Sequence, residues 1–142
     1  MKKLFMILAC ALLLSFHSVF ACERMDFSGQ DLSGRNFERY DLERANFANA
    51  NLTGANFRFA EIDKANFANA NLTGADFSYA EVEMARFTNA NLTNANFTGT
   101  DLEKADLMGA NIRGAVFTGA ELEYAVWVDG KICAAGSVGS CW

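Results

Sequence analysis

The sequence has 142 residues, 51% of them hydrophobic, and seventeen acidic residues outnumber twelve basic ones. The formal net charge of −5 argues against direct nucleic-acid binding, because an acidic surface repels phosphates. The single histidine, His17, lies in a segment that we expect to be cleaved off. The mature chain is therefore expected to contain neither a Ser–His or Cys–His nucleophile pair nor a histidine metal ligand.

Residues 1–21 have the pattern of a secretory signal peptide. Lys2 and Lys3 give a positive start, an apolar run extends over residues 4–14, and residues 19–21 form a small-residue cleavage site. The apolar run is too short to predict a membrane span. Cleavage would leave ten basic and seventeen acidic residues, a net charge near −7. The sequence therefore predicts a bacterial protein that is periplasmic or secreted.

Cys22 would be the first residue after the cleavage site, and its role stays open. Val19 and Ala21 fit the motif of a bacterial lipoprotein, in which Cys22 would be lipidated, whereas the bulky Phe20 between them does not. The alternatives are a free thiol and an intermolecular disulfide. Membrane association is expected only if Cys22 is lipidated.

An apolar centre recurs every five residues from residue 25 to residue 130. The centres are Phe27, Leu32, Phe37, Leu42, Phe47, Leu52, Phe57, Ile62, Phe67, Leu72, Phe77, Val82, Phe87, Leu92, Phe97, Leu102, Leu107, Ile112, Phe117, Leu122, Trp127 and Ile132. Alanine stands two positions earlier in every unit from Ala45 to Ala125, except at Thr100. Neither a helix nor a flat strand keeps residues five apart on one face. The pattern therefore predicts a coil that bends after every unit and buries its centres.

The units also repeat every twenty residues. Residues 45–64, 65–84 and 85–104 align so that Phe falls on Phe, and Leu, Ile or Val falls on its own kind. Four units should therefore form one turn, with 25–44 as a looser first turn and 105–124 as a fifth. Successive turns of a β-stacked coil rise by about 4.8 Å, which predicts a rod roughly 24 Å long.

Units such as ANLTG (50–54) and ANFAN (65–69) resemble the A(D/N)LXX signature of the pentapeptide-repeat proteins. The resemblance implies an all-β fold, a right-handed quadrilateral β-helix of about five turns of four pentapeptides. We expect a single domain over residues 22–132, with centres and alanines inside. The family implies this fold far more firmly than it implies an activity.

Both ends of the coil depart from the pattern. In the first turn Gln30, Arg35 and Tyr40 stand where alanine is expected. We interpret that turn as an end cap, since terminal repeats of solenoids are commonly atypical. At the other end Cys133 and Cys141 flank a glycine-rich stretch, and we predict a disulfide that closes a C-terminal cap at 133–142. Cys22 would lie at the opposite end of the rod, too far away to pair with either.

Ten of the seventeen carboxylates are predicted to lie on one side of the rod, in two columns flanking the centres. The column before the centres is Asp41, Glu61, Glu81, Asp101 and Glu121, and the column after them is Glu43, Asp63, Glu83, Glu103 and Glu123. Stacked like charges repel by about 1 kcal/mol in water before salt screening. This acidic side could bind a basic partner, or it could serve solubility and edge protection.

Phe59 and Tyr79 are predicted at outward corners of adjacent turns, beside the acidic side. Exposed aromatic residues next to charges are typical interface anchors, although a simple corner stack is the alternative. The candidate protein-binding residues are Glu61, Asp63, Glu81, Glu83, Asp101, Glu103, Phe59 and Tyr79.

The sequence shows no phosphate-binding glycine loop, no cysteine metal box and no nucleophile–base pair, so we predict no enzyme activity, cofactor or dedicated metal site. Three functions remain open. The first is an exported binding or scaffold protein with an unknown basic protein partner. The second, which the resemblance to the family implies, is a DNA mimic that binds DNA gyrase. The third is a lipid-anchored structural lipoprotein. We expect a monomer or an end-to-end dimer formed through the turn of Trp127, as in some family members.

Overall fold

The computed structural model describes residues 25–141, which wind as a coil with four pentapeptides per turn. The predicted signal peptide and Cys22 lie outside these residues. Coils 1 to 5 comprise residues 25–44, 45–64, 65–84, 85–104 and 105–124. The residue before each centre forms a single parallel bridge with the residue twenty positions later, from Asp26↔Asn46 to Asp106↔Val126. The described residues contain these isolated bridges and turns in place of helices or long strands.

Two kinds of backbone hydrogen bond repeat in every coil. Between successive units, Ala50 N–H donates to the carbonyl oxygen of Phe47 at 3.0 Å and closes the corner turn. Between coils, Phe47 N–H donates to Asn66 O at 2.8 Å, and Asn66 N–H donates to Ala45 O at 2.9 Å. The interior coils 2 to 4 thus satisfy their backbone groups while their centres turn inward, as a buried backbone requires.

Each corner places one residue in the left-handed region. Gly54 and Gly74, with φ of 65° and 66°, adopt it without a steric penalty. Twelve non-glycine residues adopt it too, with φ between 56° and 61°, including Phe59 and Tyr79. Asparagine tolerates this region, but a bulky side chain does so at a cost. Large residues at these corners therefore need a compensating contact or a role.

The core is built from phenylalanine rings stacked coil on coil. The Phe67 ring is fully buried, and its centroid lies 5.0 Å from that of Phe47 and 5.0 Å from that of Phe87, with planes within 3° of parallel. It meets Phe57 and Phe77 edge to face at 5.7 Å. This packing confirms the predicted alignment of Phe on Phe at twenty residues.

Thr100 stands where coils 2, 3 and 5 have alanine, and its hydroxyl makes a hydrogen bond. The residue is fully buried, and Oγ1 donates to the carbonyl oxygen of Phe77 at 2.8 Å. Thr100→Val should lower the free energy of unfolding by about 1 kcal/mol, because it keeps the shape but loses this bond. Urea unfolding measures the difference, with Thr100→Ser as the control that keeps the hydroxyl. A valine variant as stable as the wild type would contradict the prediction.

Coil 1 shows the departures expected of a terminal turn. The Tyr40 side chain is 50% exposed and packs edge to face on Phe37, with centroids 6.2 Å apart. Arg35 is exposed and Gln30 is half-buried, whereas alanines at the equivalent positions of coils 2 to 4 are buried. The first turn therefore carries larger side chains because its alanine positions are not enclosed.

The C-terminal end departs from the five-residue period. The prediction that Ile132 is the last buried centre is wrong, because Ile132 is 68% exposed and forms an antiparallel bridge with Val126. Gly130 stands where alanine is expected, and its φ of 81° belongs to a tight reversal. Trp127 N–H donates to Lys131 O at 2.7 Å across that reversal. The coil thus ends in a hairpin instead of another turn.

The chain after this hairpin folds back over the end of the coil. Cys133 and Cys141 form a disulfide with their Cα atoms 4.8 Å apart, in agreement with the predicted pairing. Leu122 N–H donates to Ser137 O at 2.9 Å, and Gly139 N–H donates to Ala120 O at 2.9 Å. The C-terminal cap therefore pairs with the last turn over the acidic side.

Candidate functional site

The stacking register brings the predicted acidic residues together. Parallel bridges join Asp41 to Glu61, Glu61 to Glu81, Glu81 to Asp101, and Asp101 to Glu121. In the second column, the N–H of Glu83 donates to Oδ1 of Asp63 at 2.9 Å. Glu103 follows in the same column of the next coil. The six candidate carboxylates therefore form one continuous acidic side across coils 2, 3 and 4.

Aspartate and glutamate side chains differ in their hydrogen bonds on the acidic side. Asp41 Oδ1 accepts a hydrogen bond from the N–H of Glu43 at 3.1 Å, and Asp101 Oδ1 accepts one from Glu103 at 2.9 Å. Three glutamates occupy the same kind of position: Glu61, Glu81 and Glu121. Their side chains make no hydrogen bond or ion pair within residues 25–141. Glutamate at these positions gives up the turn contact that a shorter acid makes and leaves a carboxylate available to a ligand.

Three cations border the acidic side without neutralising it. Lys64 Nζ lies 3.6 Å from Glu43 Oε1, and Arg44 Nε lies 3.3 Å from the same carboxylate. Lys104 contacts Glu103 directly and lies 3.7 Å from Glu83, and its hydrogen bond to Glu103 raises its pKa. These pairs are exposed, so salt screens them strongly. Ten carboxylates against three cations leave the side negative.

Phe59 and Tyr79 stack on each other at the corner beside the acidic side. Their ring centroids are 5.3 Å apart with planes 10° from parallel, and the side chains are 41% and 52% exposed. The guanidinium groups of Arg39 and Arg58 lie 5.5 Å and 5.6 Å from the Phe59 centroid. The alternative of a corner stack is therefore observed, and the outer ring edges remain available for contact.

The structure adds two residues, Arg39 and Gly99, to the corner formed by Phe59 and Tyr79. Tyr79 lies over Gly99, where an added Cβ would be 2.8 Å from Tyr79 Cε1, so a side chain at position 99 would displace the ring. Arg39 stands twenty residues before Phe59 and Gly99 twenty after Tyr79. The twenty-residue register is the sequence signal that places all four in one column.

On the side opposite the acidic one, asparagine and threonine side chains hydrogen-bond to one another. Thr73 Oγ1 donates to Asn71 Oδ1 at 2.7 Å, and Asn91 Nδ2 donates to Thr73 Oγ1 at 3.0 Å. In coil 1 the backbone N–H of Ser33 holds the pKa of Asp31 below its usual value. These ladders satisfy their own donors and acceptors, which supports a structural role for that side.

A shallow groove lies along the other border of the acidic side. Its lining residues are Arg44, Asn46, Lys64, Asn66 and Arg86. Arg86 replaces the asparagine or aspartate of its column, and its Nε donates to Thr88 Oγ1 at 3.1 Å. The acidic side is thus flanked by a basic border formed by Arg44, Lys64 and Arg86.

Among residues 25–141, no group of three or more His, Cys, Asp or Glu side chains is placed to hold a metal ion. No helix in the same range has the length and hydrophobicity needed to cross a bilayer.

The comparisons with known proteins agree with the coil. The family profile described as a pentapeptide repeat region matches residues 40–127. The chain belongs to the pentapeptide-repeat family. One similar solved structure is a pentapeptide-repeat protein from the thylakoid lumen of Arabidopsis thaliana, with 36% identity over 80% of this chain and 84% of that one and a TM-score of 0.70.

A second similar pentapeptide-repeat structure comes from the cyanobacterium Cyanothece. It is 26% identical over 81% of this chain and 91% of that one, with a TM-score of 0.72. None of the curated proteins compared matches the chain. The pentapeptide-repeat fold is thereby shown, while the family leaves the function to be argued from the surface.

Proposed function

We propose that this protein is an exported, non-enzymatic binding or scaffold protein that presents its acidic side to a basic protein partner. The observation that carries the proposal is the choice of glutamate at Glu61, Glu81 and Glu121. Each forgoes the turn contact made by Asp41 and Asp101, and each leaves a carboxylate without a partner in the described residues. A local choice that gives up structural benefit indicates a function.

The stacking geometry defines the partner's chemistry. Carboxylates repeat along the rod at the coil spacing of about 4.8 Å, which suits a lysine- or arginine-rich surface or an extended basic segment. Asp101 accepts a hydrogen bond within its own turn and Asp63 accepts one from the next coil, while Glu61, Glu81, Glu83 and Glu103 extend further outward with their charge. The exposed edges of Phe59 and Tyr79 add an apolar anchor at one border.

Export is part of the proposal and rests on three supports. Residues 1–21 have the features of a signal peptide, the Cys133–Cys141 disulfide suits an oxidising compartment, and the Arabidopsis relative comes from a lumen. We accordingly propose the periplasm or the cell exterior as its location, and we adopt the family's right-handed winding. The mass of the mature N-terminus tests the lipoprotein alternative, since an unmodified Cys22 would reject it.

Reversing the acidic side should abolish partner capture. The variant carries four substitutions: Glu61→Lys, Glu81→Lys, Glu83→Lys and Glu103→Lys. We expect immobilised wild-type protein to retain basic proteins from an envelope extract and release them at high salt, whereas the variant retains at least about tenfold less. Quantitative mass spectrometry of the eluates measures the difference.

The matched control adds the same number of lysines at exposed positions on the other sides and the cap. Its substitutions are Ser28→Lys, Ser33→Lys, Thr118→Lys and Ser140→Lys. This control should retain most of the binding. Equal retention by wild type and the acidic-side variant would remove that side from the function. The gyrase-binding alternative stays a prediction, and unaffected supercoiling at micromolar protein would exclude it.

A further inference from the structure

Half of the last turn has no strand above it. In coil 4, Leu92 N–H donates to Asn111 O at 2.9 Å, and Phe97 N–H donates to Val116 O at 2.7 Å. The equivalent donors one coil later lack any partner within residues 25–141. These unpaired donors are the N–H groups of Ile112, Gly114, Phe117 and Gly119. The carbonyl oxygens of Ala110 and Ala115, which point the same way by register, accept no hydrogen bond in that range either.

The gap arises because residues 126–141 cover only two of the four sides. Leu107 N–H donates to Val126 O at 2.8 Å, so residues 126–128 lie on the side of Leu107. The C-terminal cap pairs with the acidic side through the antiparallel bridge Glu121↔Val138. The remaining two sides, with centres Ile112 and Phe117, form an open half-turn over residues 110–119.

Apolar residues surround the open half-turn. Val116 is 44% exposed in a column that otherwise holds Asn36, Asn56, Asp76 and Asn96. Asn96 Oδ1 accepts a hydrogen bond from Thr98 N–H at 3.1 Å, and valine cannot do the same for Thr118. Val138, on the adjoining edge of the cap, is 54% exposed. Val116 therefore weakens its own turn and places an apolar side chain in solvent, as an interface would require.

We propose that the open half-turn binds an extended segment of a partner protein by strand addition. The segment's carbonyl oxygens would accept from the N–H groups of Ile112, Gly114, Phe117 and Gly119, and its own N–H groups would donate to Ala110 and Ala115. An apolar residue of the segment would cover Ile112, which is partly exposed, whereas Phe117 is already buried against the Trp127 ring. The backbone contacts are those that coil 5 itself makes with coil 4, so the geometry for them is already built.

A segment fits this place better than a second copy of the chain. At the level of a sixth coil, residues 126–128 and 137–139 already occupy the other two sides. A complete coil of another molecule would meet them, whereas about ten residues of extended chain would fill only the vacant half. The open half-turn lies at one end of the rod and does not depend on the acidic side.

A synthetic peptide of residues 90–100, ANLTNANFTGT, is the probe, because in coil 4 the same sequence makes the equivalent contacts with coil 3: Asn91 N–H donates to Ala70 O, and Asn91 O accepts from Leu72 N–H. In amide NMR spectra of the protein with its disulfide formed, we expect saturable shifts and slowed hydrogen exchange at Ile112, Gly114, Phe117 and Gly119. A peptide with proline at the positions of Asn91 and Asn96 lacks the two donors and should not bind.

The variant Val116→Asn restores the column's usual residue and should fold, but it should weaken peptide binding by about tenfold. Met108→Ser removes an exposed apolar residue from a side that is already covered and should leave binding unchanged. The proposal is overturned if the peptide produces no saturable shifts, or shifts only amides outside the open half-turn. It is also overturned if the protein dimerises without peptide and the same four amides become protected.

Discussion

Phe67→Ala is expected to lower the free energy of unfolding by about 3–5 kcal/mol. Phe67 is fully buried at the centre of the rod and touches four other rings, two stacked and two edge to face. Alanine would remove all four contacts and leave a cavity that the neighbouring coils cannot close, because their own spacing is fixed by the backbone bonds between coils.

Urea unfolding followed by circular dichroism measures this loss. Phe67→Leu is the matched control, since Leu107 already occupies the same column two coils later, and it should cost clearly less than the alanine variant. Hydrogen exchange should accelerate first in coils 2 to 4, because each coil contacts only its neighbours. A loss below about 1 kcal/mol for Phe67→Ala would contradict the continuous stack as the source of stability.

Removing the disulfide is expected to lower the free energy of unfolding by about 2–3 kcal/mol, the chain-entropy value for a loop this short. The variant replaces Cys133 and Cys141 by serine. Cys133 is fully buried, and its N–H donates to Ala125 O at 2.9 Å, so the bond also fixes the start of the cap. Without it, the cap should leave the edge formed by Ala120 to Val126, and the exposed edge should promote association.

Thermal and urea unfolding with and without reductant measure the effect. Reductant should destabilise the wild type but leave the double serine variant unchanged, which separates the bond from general effects of the reductant. Light scattering should show association of the reduced protein as concentration rises. Equal midpoints for the oxidised and reduced wild type would refute the stabilising role of the disulfide.

The periodicity was sufficient to predict the interior because burial repeats with the sequence. Every fifth residue had to turn inward, and the twenty-residue alignment fixed which centres meet, so the Phe67 stack and the pairing of Asp63 with Glu83 follow from counting. The pairing of Cys133 with Cys141 followed from their nearness in the chain. Local repetition of this kind needs no long-range information.

The five-residue period did not predict how the coil ends or which surface side chains form hydrogen bonds. Ile132 keeps the period, yet Gly130 removes the alanine that would have held the next turn inward. The difference between Asp101, which caps its turn, and Glu81, which does not, is one methylene and appears only in the hydrogen bonds. The contact of Arg39 with Phe59 likewise depends on side-chain reach.

The stacking register restricts how the gene for such a rod can lengthen or shorten. Removing one pentapeptide would move every later residue to the neighbouring side of the coil, so the later glutamates would no longer align with the earlier ones and the phenylalanine stack would be interrupted. Removing or duplicating a block such as 65–84 would keep each later residue on its own side of the coil. The molecule can therefore change its length only in steps of one complete twenty-residue coil. Each added coil of this kind would lengthen the acidic side by the same amount.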